Sequence, residues 1–274
     1  MNLSKSQLDA YERDGFLVLP ELLSPQEVAQ MKAELGRIQG LDSDHLVRER
    51  SGGVAKTIYR VHEADGPTAS APFHRAVRSP RLLGPAQQLL GDDALYVYHT
   101  KCNLKTAIDG SVWAWHQDYG TWRRDGVPQA HLTTALLMLD EPTEMGGCLY
   151  FIPGSHKVGN LEPEFNDATG YKFFVVPKAE LLDIMARSPE PVPIVGKPGT
   201  VVFFHCNLLH ASGHNLSRHD RWQVYAVYNP VANRPHDVPA PRPDHVRSTN
   251  VAPRAMGSDT LVDAAAGSRA AVPA

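Results

Sequence analysis

His116-Gln117-Asp118, His210 and Arg221 are the residues of this chain whose types and spacing can do chemistry together. Side chains of an extended segment alternate with period two, so a His-x-Asp tripeptide sets an imidazole and a carboxylate on one face. His210 follows Asp118 by ninety-two residues and supplies a second imidazole. Two nitrogens and one oxygen form the facial set that suits Fe(II) and leaves three coordination positions open. Eleven residues further on, Arg221 can grip the far carboxylate of a 2-oxo acid as a bidentate fork. The combination points to oxygen activation by iron, with 2-oxoglutarate as co-substrate.

The setting weighs on each assignment. The chain holds thirteen histidines, so a chance His-x-Asp is a real alternative. Here, however, Trp113 and Trp115 precede the tripeptide and Tyr119 and Trp122 follow it. A carboxylate in such apolar company is costly without a partner, and a metal ion is the natural one. For the third ligand, His205, His210 and His214 share one segment. His205 continues an apolar strand as a core or rim residue, and His214 follows Ser212-Gly213 in a turn. His210 precedes an Asn215-x-Ser217 turn leading to Arg221, and a hairpin of that length would put His210 and Arg221 on neighbouring strands. His210 is therefore favoured and His205 is second. Arg221 opens an apolar run, 222–228, in which an unpaired guanidinium needs an anion. Ser212 reads equally as a hydroxyl donor to that anion and as an ordinary core residue.

These residues need a scaffold. Ser4-x-x-Gln7 is a capping box that starts a helix, and Asp14-Gly15 ends it. A short strand, 16–19, is closed by Pro20. Ser24-Pro25-Gln26-Glu27 starts a second helix with Val28, Met31, Leu35 and Ile38 on one stripe and Gly40 as its stop. Ser79-Pro80 opens a third helix running to Gly91. From there the pattern turns to strands at 94–98, 112–115, 132–139, 148–152, 200–204 and 222–228, separated by Asp-Gly, Gly-Gly and Pro-Gly turns and by one helical insertion near 178–187. Helices followed by a series of strands indicate a mainly β barrel or sandwich with flanking helices, buttressed at its N-terminal side. Residues 1–250 read as a single domain, and the Ala-, Ser-, Gly- and Pro-rich tail 251–274 as disordered.

Composition excludes several classes. Of 274 residues, 42% are hydrophobic, enough for one large core. A net charge of −3 with dispersed Lys and Arg argues against a nucleic-acid or membrane surface. Three cysteines without framework spacing, and no apolar leader or membrane-length run, indicate a cytoplasmic protein. No feature specifies an oligomeric state.

The joint set His116-x-Asp118, Pro153-Gly154-Ser155-His156, His210-x-Ser212 and Arg221 resembles the phytanoyl-CoA dioxygenase superfamily of Fe(II)/2-oxoglutarate oxygenases. The opening Tyr11-x-x-Asp14-Gly15-Phe16-Leu17-Val18-Leu19-Pro20 is similar too, and the resemblance covers about residues 5–245. Within it, Trp115-His-Gln-Asp-Tyr-Gly-Thr-Trp122, Asp125-Gly126-x-Pro128 and 57–62 look most like the ectoine hydroxylase branch. The resemblance implies a double-stranded β-helix (jelly-roll) core holding Fe(II), with 2-oxoglutarate and O2 as co-substrates and a hydroxylation as the reaction. It implies that Asn103 and Ser212 assist Arg221 with 2-oxoglutarate, helped by Thr133 or Thr134, and that Trp122 stacks on the substrate. His99 stands where that branch leads one to expect glutamine, and Gln117 where serine is common. Pro153 to His156 reads as a structural turn.

Trp122, Tyr98, Tyr119, Arg60, His62 and His99 then outline a pocket suited to a small polar or cationic molecule. Asp118 argues against a halogenase, which keeps that position vacant for chloride. The alternatives are a non-catalytic jelly-roll binding protein, a zinc hydrolase using the same three residues, and an acyl-CoA hydroxylase of the same superfamily.

Overall fold

The computed structural model describes residues 1–48, 54–166 and 173–262. Its first part alternates helices and short strands: α1 (Lys5–Asp14), β1 (Phe16–Leu19), α2 (Pro25–Gln39), β2 (Leu46–Arg48), β3 (Ala55–Tyr59), α3 (Ala71–Ala76) and α4 (Leu83–Leu90). Next come β4 (Leu95–Lys105), β5 (Trp113–His116), α5 (Asp118–Trp122), β6 (Thr133–Met138) and β7 (Leu149–Phe151). The chain continues with β8 (Glu164–Asn166), β9 (Phe173–Val175), α6 (Lys178–Ala186), β10 (Val192–Ile194), β11 (Val201–His205), β12 (His210–Ser212) and β13 (Arg221–Pro230). Both capping boxes form: Ser4 with Gln7, and Ser24 with Glu27 behind Pro25. Gly15 ends α1 at φ +83°, the left-handed stop for which glycine carries no steric penalty.

Two antiparallel sheets carry the fold. The larger has the order β1-β11-β6-β13-β4-β3-β2, and the smaller β10-β7-β12-β5. Strand alternation assigns the two faces of the larger sheet. Leu136, Met138, Val202, Phe204 and Tyr225 pack inward against Leu149, Phe151 and Ile194 of the smaller sheet. Their neighbours Ala135, Leu137, Val201, Phe203, Val224 and Ala226 pack outward on Met31, Leu35, Ile38, Leu83 and Ala86 of the N-terminal helices. β6 and β11 are covered on both faces and have no solvent side, which is why 132–139 and 200–204 read as largely apolar runs. The architecture is the jelly roll expected, with helices against its outer face.

Four differences from the sequence reading have local causes. Residues 79–82 form a turn in which the Ser79 carbonyl accepts from the Leu82 and Leu83 amides, so α4 starts at Leu83 rather than at Pro80. β4 does not end at Tyr98 but runs on to Lys105, because β3 and β13 hydrogen-bond to it on either side through polar residues that hid the strand. β12, only three residues long, carried no periodic signal and pairs with β5 and β7, whereas Arg221 lies in β13 of the other sheet. His210 and Arg221 are therefore not on neighbouring strands; they belong to opposite walls of the sandwich. Finally, the tail expected to be disordered from residue 251 is irregular but packed as far as it is described. The Arg254 amide donates to the Leu95 carbonyl (2.7 Å), Arg81 pairs with Asp259 (2.6 Å), and Leu261 is buried in the helical core. Residues 263–274 lie outside the described residues.

Phe204 is fully buried between the sheets, with its ring 5.1 Å from Phe151 and 5.3 Å from His210. Phe204→Ala leaves a cavity there and is expected to cost about 3–5 kcal/mol. Chemical denaturation measures it, and a loss under about 1 kcal/mol would contradict the packing described.

Candidate active site

β5 ends at His116, and His210 of β12 lies directly opposite it in the antiparallel register. The two ring centroids are 4.1 Å apart. Asp118 is not on the strand, as the sequence reading had it; it is the first residue of α5. Gln117 between them is still extended (φ −106°, ψ 131°), so the period-two relation to His116 holds. The Asp118 carboxylate reaches 3.7 Å from His116 Nε2 and 3.8 Å from His210 Nε2. Ligand atoms of all three residues lie within 4.8 Å of one another.

Hydrogen bonding assigns the imidazole tautomers. His116 Nδ1 donates to the Ala114 carbonyl (2.7 Å) and His210 Nδ1 to the Leu208 carbonyl (2.9 Å). Each ring thus presents an Nε2 lone pair beside the carboxylate, the arrangement a metal-binding histidine requires. Burial, and then the neighbouring His210, push His116 well below the ordinary histidine range, so it stays neutral. Two neutral nitrogens and one carboxylate fit an Fe(II) ion. His205 is not part of the group: its Nδ1 accepts from the Asn207 amide and its ring lies 5.3 Å from His156. His214 Nδ1 donates to the Gly110 carbonyl.

The turn Pro153 to His156 secures the approach to His210. Gly154 adopts φ +77°, and the Ser155 hydroxyl accepts from the Leu209 amide (2.9 Å), next to the ligand position. Gln117 secures the approach to Asp118. Its Nε2 donates to the Gly159 and Asn207 carbonyls and its Oε1 accepts from the Leu161 amide. Gln117 is therefore a structural tie and not a wall of the site.

A cavity of about 430 Å³ extends from the triad. One wall is the inward-facing row of β4, His99, Lys101 and Asn103, with Tyr225 from β13 and Thr134 from β6; Trp113 and Trp122 face them. Asn103 Oδ1 and Thr134 Oγ1 are buried without a hydrogen-bond partner, as expected of atoms awaiting a polar ligand. Ser212 also lines the cavity. Thr133 points away and accepts from the Tyr11 hydroxyl (2.9 Å). Arg221 is 1% exposed and donates to Gln223 Oε1 and to the Gly147 carbonyl (2.8 Å), with its Nε unpartnered.

Of the expected substrate contacts, Trp122 and His99 line the cavity, their rings 5.7 Å apart. Tyr119, Arg60 and His62 do not. The Tyr119 hydroxyl donates to the Val127 carbonyl in the apolar cluster that backs Trp122. β3 ends at Tyr59, which does reach the cavity, and the chain then turns away at Arg60 (φ +60°). His62 is buried behind, bonded to Thr100 (3.0 Å) beside Glu63.

Sequence reasoning missed Lys101 and the closing segment 240–246. Lys101 Nζ lies 3.5 Å from the Trp113 ring centroid, and burial pushes it down to about 7 although Asp118 pulls it back up. Arg242, from the closing segment, grips Asp125 (2.7 Å), which also accepts from the Tyr98 hydroxyl (2.5 Å). Burial works against Asp125 ionising, yet Arg242 and Tyr98 hold its carboxyl below the usual range. The signal for Lys101 was present: His99-x-Lys101-x-Asn103-x-Lys105 alternates with Thr100, Cys102 and Leu104 at strand period.

Comparisons with known proteins bear on this geometry. The sequence profile of the phytanoyl-CoA dioxygenase (PhyH) family matches residues 11–222. The chain is 33% identical over 277 aligned positions to the ectoine dioxygenase of Bordetella bronchiseptica, covering 95% of this chain and 88% of the relative. It is similar in structure to EctD from S. alaskensis with 2-oxoglutarate and 5-hydroxyectoine, at TM-score 0.80 and 31% identity, over 95% of this chain and 89% of that one. A more distant likeness, TM-score 0.61 at 25% identity over 83% of each chain, is to the non-heme alpha-ketoglutarate-dependent epimerase SnoN from nogalamycin biosynthesis.

Replacing the carboxylate tests the metal set. Asp118→Ala is expected to weaken Fe(II) binding at least about tenfold, with circular dichroism unchanged. Anaerobic Fe(II) titration reads the affinity, and equal affinity in the two proteins would remove Asp118 from the ligand set.

Proposed function

The chain belongs to the phytanoyl-CoA dioxygenase family and is an Fe(II)- and 2-oxoglutarate-dependent dioxygenase, from which we propose that it hydroxylates a small zwitterion of the ectoine kind. The observation that carries the substrate reading is the make-up of the cavity. Trp122 and Tyr225 offer aromatic faces to a delocalised cation, while Lys101, held over Trp113, offers N–H donors to a carboxylate. Neutral acyl chains find no such match.

In this reading His116, Asp118 and His210 hold the iron, which, with O2 and 2-oxoglutarate, supplies the oxidising chemistry that yields succinate, carbon dioxide and a hydroxylated product. Arg221, Ser212, Asn103 and Thr134 orient 2-oxoglutarate, an acceptor-only ligand to which the Thr134 hydroxyl and the Arg221 Nε–H, both without a partner, can donate. Trp122 holds the substrate over the metal, and segment 240–246 with its Arg242–Asp125 pair excludes water. His99 replaces the glutamine expected in the ectoine branch. Its Nδ1 donates to the Val246 carbonyl (3.1 Å) and burial keeps it neutral, so it contributes an Nε2 acceptor to the wall where glutamine would contribute an amide. That difference supports an ectoine-like substrate bearing an N–H toward His99. Residues 1–250 serve as one catalytic domain in this reading. No helix among the described residues is long and apolar enough to cross a membrane, and the three free buried cysteines support a cytoplasmic location.

Protein loaded with Fe(II) is expected to release succinate slowly from 2-oxoglutarate alone, and at least tenfold faster with a matched zwitterion. A screen of ectoine, proline-like and other cyclic amino acids measures this, and stimulation only by neutral or acyl compounds would overturn the reading. Trp122→Ala is expected to raise KM for the stimulating compound about tenfold while leaving uncoupled succinate release within twofold, read by the same assay.

A further inference from the structure

Arg60 and His62, expected substrate contacts that do not reach the cavity, belong instead to a turn built around a buried carboxylate, Glu63, 7% exposed. Glu63 Oε1 accepts from Arg60 Nη2 (3.3 Å) and from the Ser248 hydroxyl (3.1 Å), and lies 3.3 Å from His62 Nε2. Its Oε2 pairs with Arg254 Nη2 at 3.6 Å. Arg60 meets the same stretch of chain a second time, donating through Nη1 to the Asp244 carbonyl (3.2 Å). Burial works against ionisation of Glu63, but His62, Arg254 and Arg60 bring its carboxyl down to about 2. The backbone is bent to suit. Arg60 adopts φ +60°, a left-handed conformation that carries a steric cost for any residue with a side chain, and the Glu63 amide closes the turn onto the Arg60 carbonyl (3.3 Å).

Ser248 and Arg254 continue the segment that roofs the cavity, where Ala240, Arg242, Pro243 and Val246 line it. One end of that segment is tied down by Arg242 on Asp125 (2.7 Å). The other end is tied by the Ser248 amide to the Tyr98 carbonyl (2.6 Å), by the Arg254 amide to the Leu95 carbonyl (2.7 Å), and by both side chains to Glu63. Between the two ties lies Val246, whose carbonyl accepts from His99 Nδ1 (3.1 Å). We propose that Glu63 is a positioning residue for the hydroxylation: it latches residues 248–254 and so keeps Val246, and through it the His99 ring, in place in the cavity wall. The proposal rests on the reading of this cavity as the substrate site. Glu63 itself does not line the cavity, so it acts only through the roof. Asp125 and Glu63 thus stand on either side of Val246, each gathering an arginine of the roof. The middle of the segment cannot shift without pulling a buried carboxylate from its partners, which is costly.

Glu63→Gln keeps the size of the side chain and an acceptor for Ser248, and removes the charge that holds Arg60 and Arg254. In full-length Fe(II)-loaded protein kept anaerobic, hydrogen exchange at the Ser248 and Arg254 amides is expected to quicken at least about tenfold, while the amides of β6 and β11 keep their wild-type rates. In air, with 2-oxoglutarate and with ectoine as the probe, KM for ectoine is expected to rise about fivefold or more, and more succinate to form per hydroxylated product. Succinate release from 2-oxoglutarate alone is expected to stay within about twofold. Arg254→Met breaks the latch from the roof side and gives the same reading if Glu63→Gln does not fold. The double variant is expected to be no worse than the poorer single one, because the two residues form one contact. Additive losses, exchange that quickens equally throughout both sheets, or an unchanged KM would each overturn the latch. Those outcomes presuppose wild-type protein that ectoine stimulates. Should another zwitterion of the screen stimulate it instead, that compound becomes the probe, and a wild type that none stimulates would sink the substrate reading and the proposal together.

Discussion

The site depends on a three-residue strand being held in one register. β12 lies between β5 and β7, and its first residue, His210, is opposite both His116 and Phe151. Because strand side chains alternate, a slip of one residue would turn His210 out of the sandwich and bring Ala211 in. Three residues of ladder are too few to prevent that alone. The Ser155 hydroxyl on the Leu209 amide, and Gln117 bridging 159–161 to Asn207, supply the missing constraint from outside the sheet. The tight contact of Gly147 with the Gly213 and His214 carbonyls constrains the other end of the strand.

The electrostatics follow from where that strand lies. The inner faces of the two sheets are apolar around Phe151, Phe204 and Leu136, and polar from the triad onward. In the polar part burial drives several basic groups toward their uncharged form, His116 and His99 well below their usual range, Lys101 to about 7 and Lys105 to about 6, whereas Arg242 is held charged by Asp125 and Tyr98.

Legibility in the sequence tracked the range of the interaction. His-x-Asp could be read because one extended dipeptide is enough to align two side chains, and that relation holds even though Asp118 begins a helix. The capping boxes at Ser4 and Ser24 were legible for the same reason. His210 was singled out through a hairpin that does not exist: the structure puts it in the triad, yet across the sandwich from Arg221 and not beside it. β4 beyond Tyr98 was missed because its inward residues are His, Lys, Asn and Lys, so that only Thr100, Cys102 and Leu104 on the other face carry the strand alternation. The segment 251–262 was missed because irregular chain held by single contacts, such as Arg81 with Asp259, has no periodicity at all.

By itself the sequence determined the reaction: the residue types of a 2-His-1-carboxylate site with an arginine downstream specify iron and a 2-oxo acid wherever the chain brings them together. It also determined the mainly β core with N-terminal helices, because period and capping are local properties. Only the tertiary structure decided which residues face the reactants. Trp122 and His99 do, Tyr119, Arg60 and His62 do not, and Lys101 joins the site unannounced. Facing is set by sheet register and by which wall of the sandwich a strand joins, and those are fixed by contacts between residues a hundred or so positions apart, such as Lys105 and Ser212, which no local pattern encodes.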